Sequence, residues 1–543
     1  MTLLHVEQLT IAFGANPAVR DLNLTVAAGE SVALVGESGS GKSATLLAIA
    51  GLLPPTARVS GVIGWEGQDL QAMTPTERRA YRGRDIAMIF QEPLTALNPL
   101  FRCGYQVAEG LMVQQGLTAR RAREATIALF TEVRLPEPER VFAAYPHQLS
   151  GGQRQRVMVA MALAGNPRLL LADEPTTALD VTVQAALLDL LRQLQREREM
   201  ALIFVTHDLG VAARIAERLV VMNQGQVVET GSTSQLLTAP NHPYTRGLVA
   251  CRPPLTHRPA RLPVVADFLQ ATPPPPPPEI SDETAAQRLE GLMAQDPLLE
   301  LHQVYVQYRR AAMAVRGVNL TVYPGETLGL VGESGCGKTT LLKAVLGLVP
   351  LAGGTLRLDG VDVSRFDRRQ RQRFRREVQV VFQDPFGSLD PRMTVGATLA
   401  EPLVIHRMNP KERRERILYL LQRVGLDPDA ANRFPHEFSG GQRQRIGIAR
   451  ALALQPRLVL ADEPVSALDV SVQAQVLNLL KELQAEFGLT LVFVSHDLAV
   501  VQFMSDRVAV MHHGELVEVA PAPQIYRQPQ HEYTRTLLAA VLP

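Results

Sequence analysis

The sequence holds little cysteine, few aromatic residues and no excess of one charge. Only three cysteines occur in 543 residues, Cys103, Cys251 and Cys336. Three scattered thiols cannot build a disulfide framework or a four-thiolate metal site, and they suit a reducing cytosol. Lys and Arg number 55 against 54 Asp and Glu, a formal net charge of +1. No global field therefore argues for nucleic acid or an anionic membrane as partner. Also missing is any uncharged apolar run of roughly 18 residues, the length needed to span a bilayer. The opening Met1-Thr2-Leu3-Leu4-His5-Val6-Glu7 carries His and acid, where a secretion signal needs a basic and then an apolar run. The expectation is a soluble chain that reaches a membrane only through partners.

What the chain does have is repetition. It reads Gly36-Glu37-Ser38-Gly39-Ser40-Gly41-Lys42-Ser43-Ala44 and later Gly332-Glu333-Ser334-Gly335-Cys336-Gly337-Lys338-Thr339-Thr340. Each copy is followed by a Ser-Gly-Gly-Gln run, Ser150 to Gln153 and Ser439 to Gln442, and by an apolar stretch ending Ala-Asp-Glu. From Ser150 to Glu174 and from Ser439 to Glu463 the step is 24 residues; from each Glu to His207 or His496 it is 33. A repeat this long is a duplicated domain. The division is residues 2–250, a proline-rich linker over 251–297, and residues 298–543. Six prolines, Pro273 to Pro278, make the linker an extended, semi-rigid spacer.

Within each half, alternating residues (Leu3 to Phe13, Leu299 to Tyr308) and a second run (Leu22 to Val26, Val318 to Val322) predict an antiparallel β layer. Ser31 to Val35 and Leu328 to Val331 lead straight into the glycine loops. The continuous apolar runs Leu169 to Ala172, Leu202 to Thr206, Leu458 to Ala461 and Leu491 to Ser495 predict strands buried on both faces. Gln91 to Ser150 and Gln383 to Ser439 turn helical, a subdomain inserted into an α/β core. The six arginines between Arg368 and Arg376 read as a solvated helix face.

Gly-x-x-x-x-Gly-Lys-Ser/Thr after a strand is a phosphate-binding loop. Gly36, Gly39 and Gly41 let the backbone curl around the phosphates, Lys42 neutralises them, and Ser43 ligates Mg2+ at a helix start whose dipole also favours anions. Gly332, Gly335, Gly337, Lys338 and Thr339 repeat this, with Cys336 where the first copy has Ser40. Asp173 and Asp462 close buried strands, where a carboxylate can reach Mg2+ through water. The following Glu174 and Glu463 suit polarising an attacking water, and phosphoryl transfer otherwise rests on positioning and charge stabilisation. His207 and His496 read alone as structural; their shared offset from Glu174 and Glu463 favours a γ-phosphate sensor.

Leu149-Ser150-Gly151-Gly152-Gln153 and Phe438-Ser439-Gly440-Gly441-Gln442 resemble the signature motif of ATP-binding-cassette ATPases, and the resemblance covers both halves. It implies an intramolecular pseudo-dimer with shared sites. Lys42 would work opposite Ser439, Gly441 and Gln442, and Lys338 opposite Ser150, Gly152 and Gln153. It also implies that Phe13 and Tyr308 stack on adenine, where as isolated aromatics they could equally pack in a core. Gln91 and Gln383 match the loop that senses Mg2+ and water; Asp180 and Asp469 match the loop crossing the dimer interface. Phe90 to Pro99, Phe382 to Pro391, His242 to Arg246 and His531 to Arg535 are similar to the peptide/nickel import branch. That branch implies two transmembrane permease subunits, an external solute-binding protein and a peripheral place on the cytoplasmic face of a bacterial inner membrane. Some relatives carry four cysteines after the Tyr-Thr-Arg element; with only Cys251 near it, no iron–sulfur cluster is expected. The alternatives are a soluble tandem cassette protein of ribosomes or DNA, which the linker and cysteine count disfavour, and an exporter ATPase.

Overall fold

The computed structural model describes residues 2–14, 16–177, 179–270, 272, 274–308 and 312–540. Pro273, first of the six prolines, lies outside them. The chain divides into two compact units, the first ending at Val249 and taking in a segment from Val265, the second made of Ala250–Val264 and the chain from Pro274 onward.

Each unit pairs a four-stranded antiparallel sheet with a six-stranded, mainly parallel one. In the first unit the antiparallel sheet runs β2-β1-β4-β5, formed by β1 (Thr2–Phe13), β2 (Asn16–Ala27), β4 (Ala57–Trp65) and β5 (Gln68–Asp69), around β3 (Ser31–Val35) in chain order. The core sheet adds β6 (Ile86–Ile89), β7 (Leu169–Asp173), β8 (Ala201–Thr206), β9 (Arg218–Asn223) and β10 (Gln226–Ser232), in the order β10-β9-β3-β8-β7-β6. All five residues of β3 are buried, which explains why its sequence runs apolar rather than alternating. Parallel pairing brings Val35 beside Thr206 and Asp173 beside Val205. The end of β7 that carries Asp173 and the ends of β3 and β8 that lead to Lys42 and His207 therefore lie at one edge of the sheet, where a doubly wound fold binds its ligands.

The second unit repeats the plan with β11 (Leu299–Gln307), β12 (Met313–Val322), β13 (Thr327–Val331), β14 (Gly353–Leu358), β15 (Val361–Asp362), β16 (Val378–Val381), β17 (Leu458–Asp462), β18 (Thr490–Val494), β19 (Arg507–His512) and β20 (Glu515–Pro521). Its core sheet runs β16-β17-β18-β13-β19-β20, the same connectivity. Between the two sheets of each unit lies one apolar core, with Leu4, Ile11, Leu34, Leu46, Leu171 and Val205 in the first. Trimming a fully buried leucine such as Leu34 to alanine costs about 2–5 kcal/mol.

Helices fill the predicted insertions. Cys103–Gln115, Ala119–Glu132 and Pro138–Ala143 lie between Gln91 and Ser150, and Val395–Ile405 and Pro410–Arg423 lie in the second copy. The arginine run forms Arg368–Glu377, in which only Phe374 is buried. Among the described residues no helix is long and apolar enough to cross a membrane.

The linker has more structure than a proline spacer. Pro274 to Pro278 take neither helix nor strand, but Asp282–Met293 is a helix, capped where the Ser281 hydroxyl accepts the Thr284 N–H at 3.2 Å. Asp282 and Glu283 in its first turn suit the helix dipole.

Candidate functional site

Each glycine loop connects a buried strand to a helix, Lys42–Ala50 after β3 and Lys338–Val345 after β13. Gly36 has φ +153°, and a Cβ there would sit 2.2 Å from the Met222 carbonyl oxygen. Gly332 repeats this with φ +150° and 2.1 Å to the Met511 carbonyl. No side chain fits either place. Lys42 is buried and its ammonium donates to the Gly36 and Glu37 carbonyls, both at 2.8 Å, spanning the loop. Lys338 donates to Gly332 and Glu333 at 2.7 and 2.9 Å. Cys336 Sγ lies 3.8 Å from Lys338 Nζ, and burial raises its thiol pKa, so it stands as a small neutral group.

The strand tips close onto the loops. Ser43 Oγ donates to Asp173 Oδ1 at 2.9 Å and Thr339 Oγ1 to Asp462 Oδ1 at 3.2 Å. Burial outweighs those bonds and raises the pKa of both aspartates. A buried carboxylate beside a hydroxyl is a set of hard oxygen donors of the kind Mg2+ takes.

One residue further, Glu174 and Glu463 adopt φ of +44° and +47°, the left-handed region that non-glycine residues avoid. Sheet pairing enforces this: their N–H groups donate to Val205 and Val494 at 3.1 and 3.0 Å. Such strain gathers at functional sites. Glu174 Oε2 accepts from Gln91 Nε2 at 3.1 Å and lies 3.2 Å from His207 Nδ1. Glu463 Oε2 accepts from Gln383 Nε2 at 2.9 Å and lies 3.2 Å from His496 Nδ1. Burial would raise each glutamate, but the histidine hydrogen bond and charge hold both below the usual value. Burial likewise opposes protonation of His496, and the bond to Glu463 overrides it and raises the pKa. Five residues from four separate stretches of sequence thus meet in each unit: a hydroxyl–carboxylate pair and, beside it, a Gln–Glu–His group.

The signature runs open the helices Gly151–Leu163 and Gly440–Leu452. Ser150 and Gln153 form a reciprocal cap: Gln153 donates its N–H to the Ser150 hydroxyl at 3.3 Å and accepts the Ser150 N–H at 3.0 Å. Ser439 and Gln442 match it at the same distances. Gly152 and Gly441 are spaced for contact, because a Cβ would meet Val183 and Val472 at 2.7 and 2.2 Å. Asp180 caps the helix that carries Val183, accepting its N–H at 2.9 Å. Phe13 and Tyr308 are 40% and 41% exposed, which removes the core-packing alternative.

Two residues escaped the sequence reading. The Tyr244 hydroxyl accepts the Glu37 N–H at 3.2 Å, and the Tyr533 hydroxyl accepts the Glu333 N–H at 3.0 Å. Each phosphate loop is thereby braced by a tyrosine from the far end of its own unit. The signal was the His-x-Tyr-Thr-Arg repeat, in which Tyr533 follows Tyr244 by 289 residues, the same offset that separates Glu463 from Glu174.

The ABC transporter family model matches residues 19–177 and 315–466. The chain belongs to the ABC transporter family. It is an ATP-binding and ATP-hydrolysing protein with two cassettes. A second model, the C-terminal region of oligopeptide/dipeptide transporters, matches 228–268 and 517–543, the stretches that supply Tyr244 and Tyr533. The glutathione import ATP-binding protein GsiA of Pectobacterium atrosepticum is 48% identical over 546 residues, covering 96% of this ABC protein and 86% of the relative. GsiA of Escherichia coli is 46% identical over 564 residues, covering 99% and 89%.

Proposed function

We propose that this chain is the ATP-hydrolysing subunit of a bacterial importer for glutathione or related small peptides. The observation that carries the reading is the doubled Gln–Glu–His group beside each phosphate loop, in a chain that resembles glutathione importer subunits from end to end. The partners are two transmembrane permease subunits and a periplasmic solute-binding protein. The chain then sits peripherally on the cytoplasmic face of the inner membrane and never touches the solute.

In the proposed mechanism Lys42 and Lys338 leave their loop carbonyls for the β- and γ-phosphates of ATP. Ser43 with Asp173 and Gln91, and Thr339 with Asp462 and Gln383, would hold Mg2+. Among the described residues no group of three His, Cys, Asp or Glu side chains could hold a metal ion by itself, so ATP phosphates and water would supply the other oxygens. Bound Mg2+ neutralises phosphate charge. Glu174 and Glu463 orient and polarise the attacking water, and each takes its proton as the bond from the γ-phosphorus to the β–γ bridging oxygen breaks. His207 and His496 hold the glutamates ionised and donate toward the γ-phosphate. The signature residues of the opposite half complete each site, so that charge stabilisation peaks only when the halves close. Phe13 and Tyr308 stack on adenine.

The test is reconstitution in liposomes with the neighbouring permeases and binding protein. Glutathione or a di- or tripeptide added on the binding-protein side stimulates ATP turnover and enters the liposome. Turnover indifferent to every such solute would overturn the reading.

A further inference from the structure

The segment before the second domain encloses a charged cavity on that domain. The cavity, ≈ 630 Å³, is lined by Arg258 and Arg288 from the segment and by Lys481 and Asp506 from the domain. Its walls are otherwise largely apolar, including Ile280, Leu292 and Met504. Three cations here face one carboxylate. Arg288 Nε donates to Asp506 Oδ1 at 3.1 Å, and the Arg258 guanidinium lies 3.9 Å from the same oxygen. Asp506 Oδ2 already accepts the Thr327 N–H at 2.9 Å. Lys481 is left over. Its Nζ is enclosed, has no hydrogen-bond acceptor and lies 4.1 Å from the Phe503 ring centroid. Enclosed amines are normally satisfied, and what this cavity lacks is anionic oxygen.

The arrangement belongs to the second unit alone. Lys481 and Asp506 stand 289 residues after Arg192 and Glu217, which are exposed in the first unit. The segment itself is held by Asn478, whose side chain accepts the Leu262 N–H and donates to the Leu262 carbonyl, both at 2.8 Å. The first-unit counterpart, 289 residues earlier, is Asp189, which instead pairs with Arg214 at 2.6 Å. One copy keeps a surface ion pair where the other docks the segment and builds the cavity.

We propose that this cavity binds a small organic anion, a carboxylate or phosphate joined to an apolar body, and that the bound anion ties the inter-domain segment to the second domain. Charge-assisted bonds from Arg258, Arg288 and Lys481 take the anionic oxygens, while the apolar walls take the body. Burial, with the positive charge of Arg258 beside it, lowers the Lys481 pKa to about 7, so an entering anion meets an amine that it drives to ammonium.

Calorimetric titration of the full chain tests this, with both ATP sites first saturated by magnesium and a non-hydrolysable ATP analogue. Phenyl phosphate and phenylsuccinate are the probes and benzyl alcohol is the neutral control. The expected result is saturable binding of at least one anion, weakened about tenfold or more in Lys481→Met and in Arg288→Gln, and unchanged in Arg192→Met. Binding of phenyl phosphate alone identifies a phosphate ligand, and of phenylsuccinate alone a carboxylate; either supports the proposal. No saturable binding, equal binding of benzyl alcohol, or binding that survives both variants overturns it.

Discussion

His496 Nδ1 lies 3.2 Å from Glu463 Oε2, and the same spacing joins His207 to Glu174 in the other unit. Both glutamates carry a strained backbone at the tip of a buried strand, so their carboxylates are held by strand pairing rather than by flexible loop. That rigidity suits a group that must orient one water molecule.

Replacing Glu174 and Glu463 together with Gln keeps the shape and removes the base. ATP turnover should fall by about 10²–10⁴-fold, while ATP binding, followed by a fluorescent analogue, stays near the starting value. Near-normal turnover would show that another group does this chemistry.

The tyrosine brace gives a second prediction. Tyr244→Phe removes only the hydroxyl that accepts the Glu37 N–H, since the ring is 1% exposed and stays packed. The loss should be about 1 kcal/mol of stability in denaturant unfolding, together with a raised KM for ATP. Tyr533→Phe should act alike through Glu333.

Asn478→Leu should free the Leu262 backbone from its two bonds. Limited proteolysis should then cut between residues 250 and 264 faster than in the parent, with ATP turnover unaltered. An unchanged cleavage rate would mean that Asn478 does not secure the segment.

Lys481 makes stability depend on pH. Its pKa is about 7 in the folded chain against a reference 10.5, with Arg258, Arg288 and Asp506 as the charged neighbours. Between those values the unfolded chain binds more protons than the folded one, so this residue makes unfolding free energy rise with pH across that window. Lys481→Met should flatten that part of the profile in denaturant melts at several pH values.

Much of this was legible because the residues announce themselves locally. The β3 run Ser31–Val35 is buried throughout and apolar from Val32 on, and it feeds a glycine loop whose φ values only glycine tolerates. The Gln91–Glu174 contact could be expected only through family resemblance, since 83 residues separate the partners. Tyr244 stayed hidden because a buried tyrosine in a helix reads as core, and its hydroxyl acts on a loop 207 residues away. The helix Asp282–Met293 did have a sequence signal, Ser281 before two acids, but the neighbouring prolines outweighed it. Nothing local marks Asn478, a polar residue in the long helix Val470–Phe487, as an anchor for Leu262.

In the proposed mechanism each ATP site takes its phosphate loop from one half and its signature from the other. The direct measurement is nucleotide trapping in two double variants, Lys42→Ala with Ser439→Arg and Lys42→Ala with Ser150→Arg, each compared with Lys42→Ala alone. With shared sites the first pair damages a single site and retains as much ATP as Lys42→Ala, whereas the second damages both and retains almost none. The reverse order, with Ser150→Arg harmless in the Lys42→Ala chain and Ser439→Arg abolishing trapping, would contradict the account.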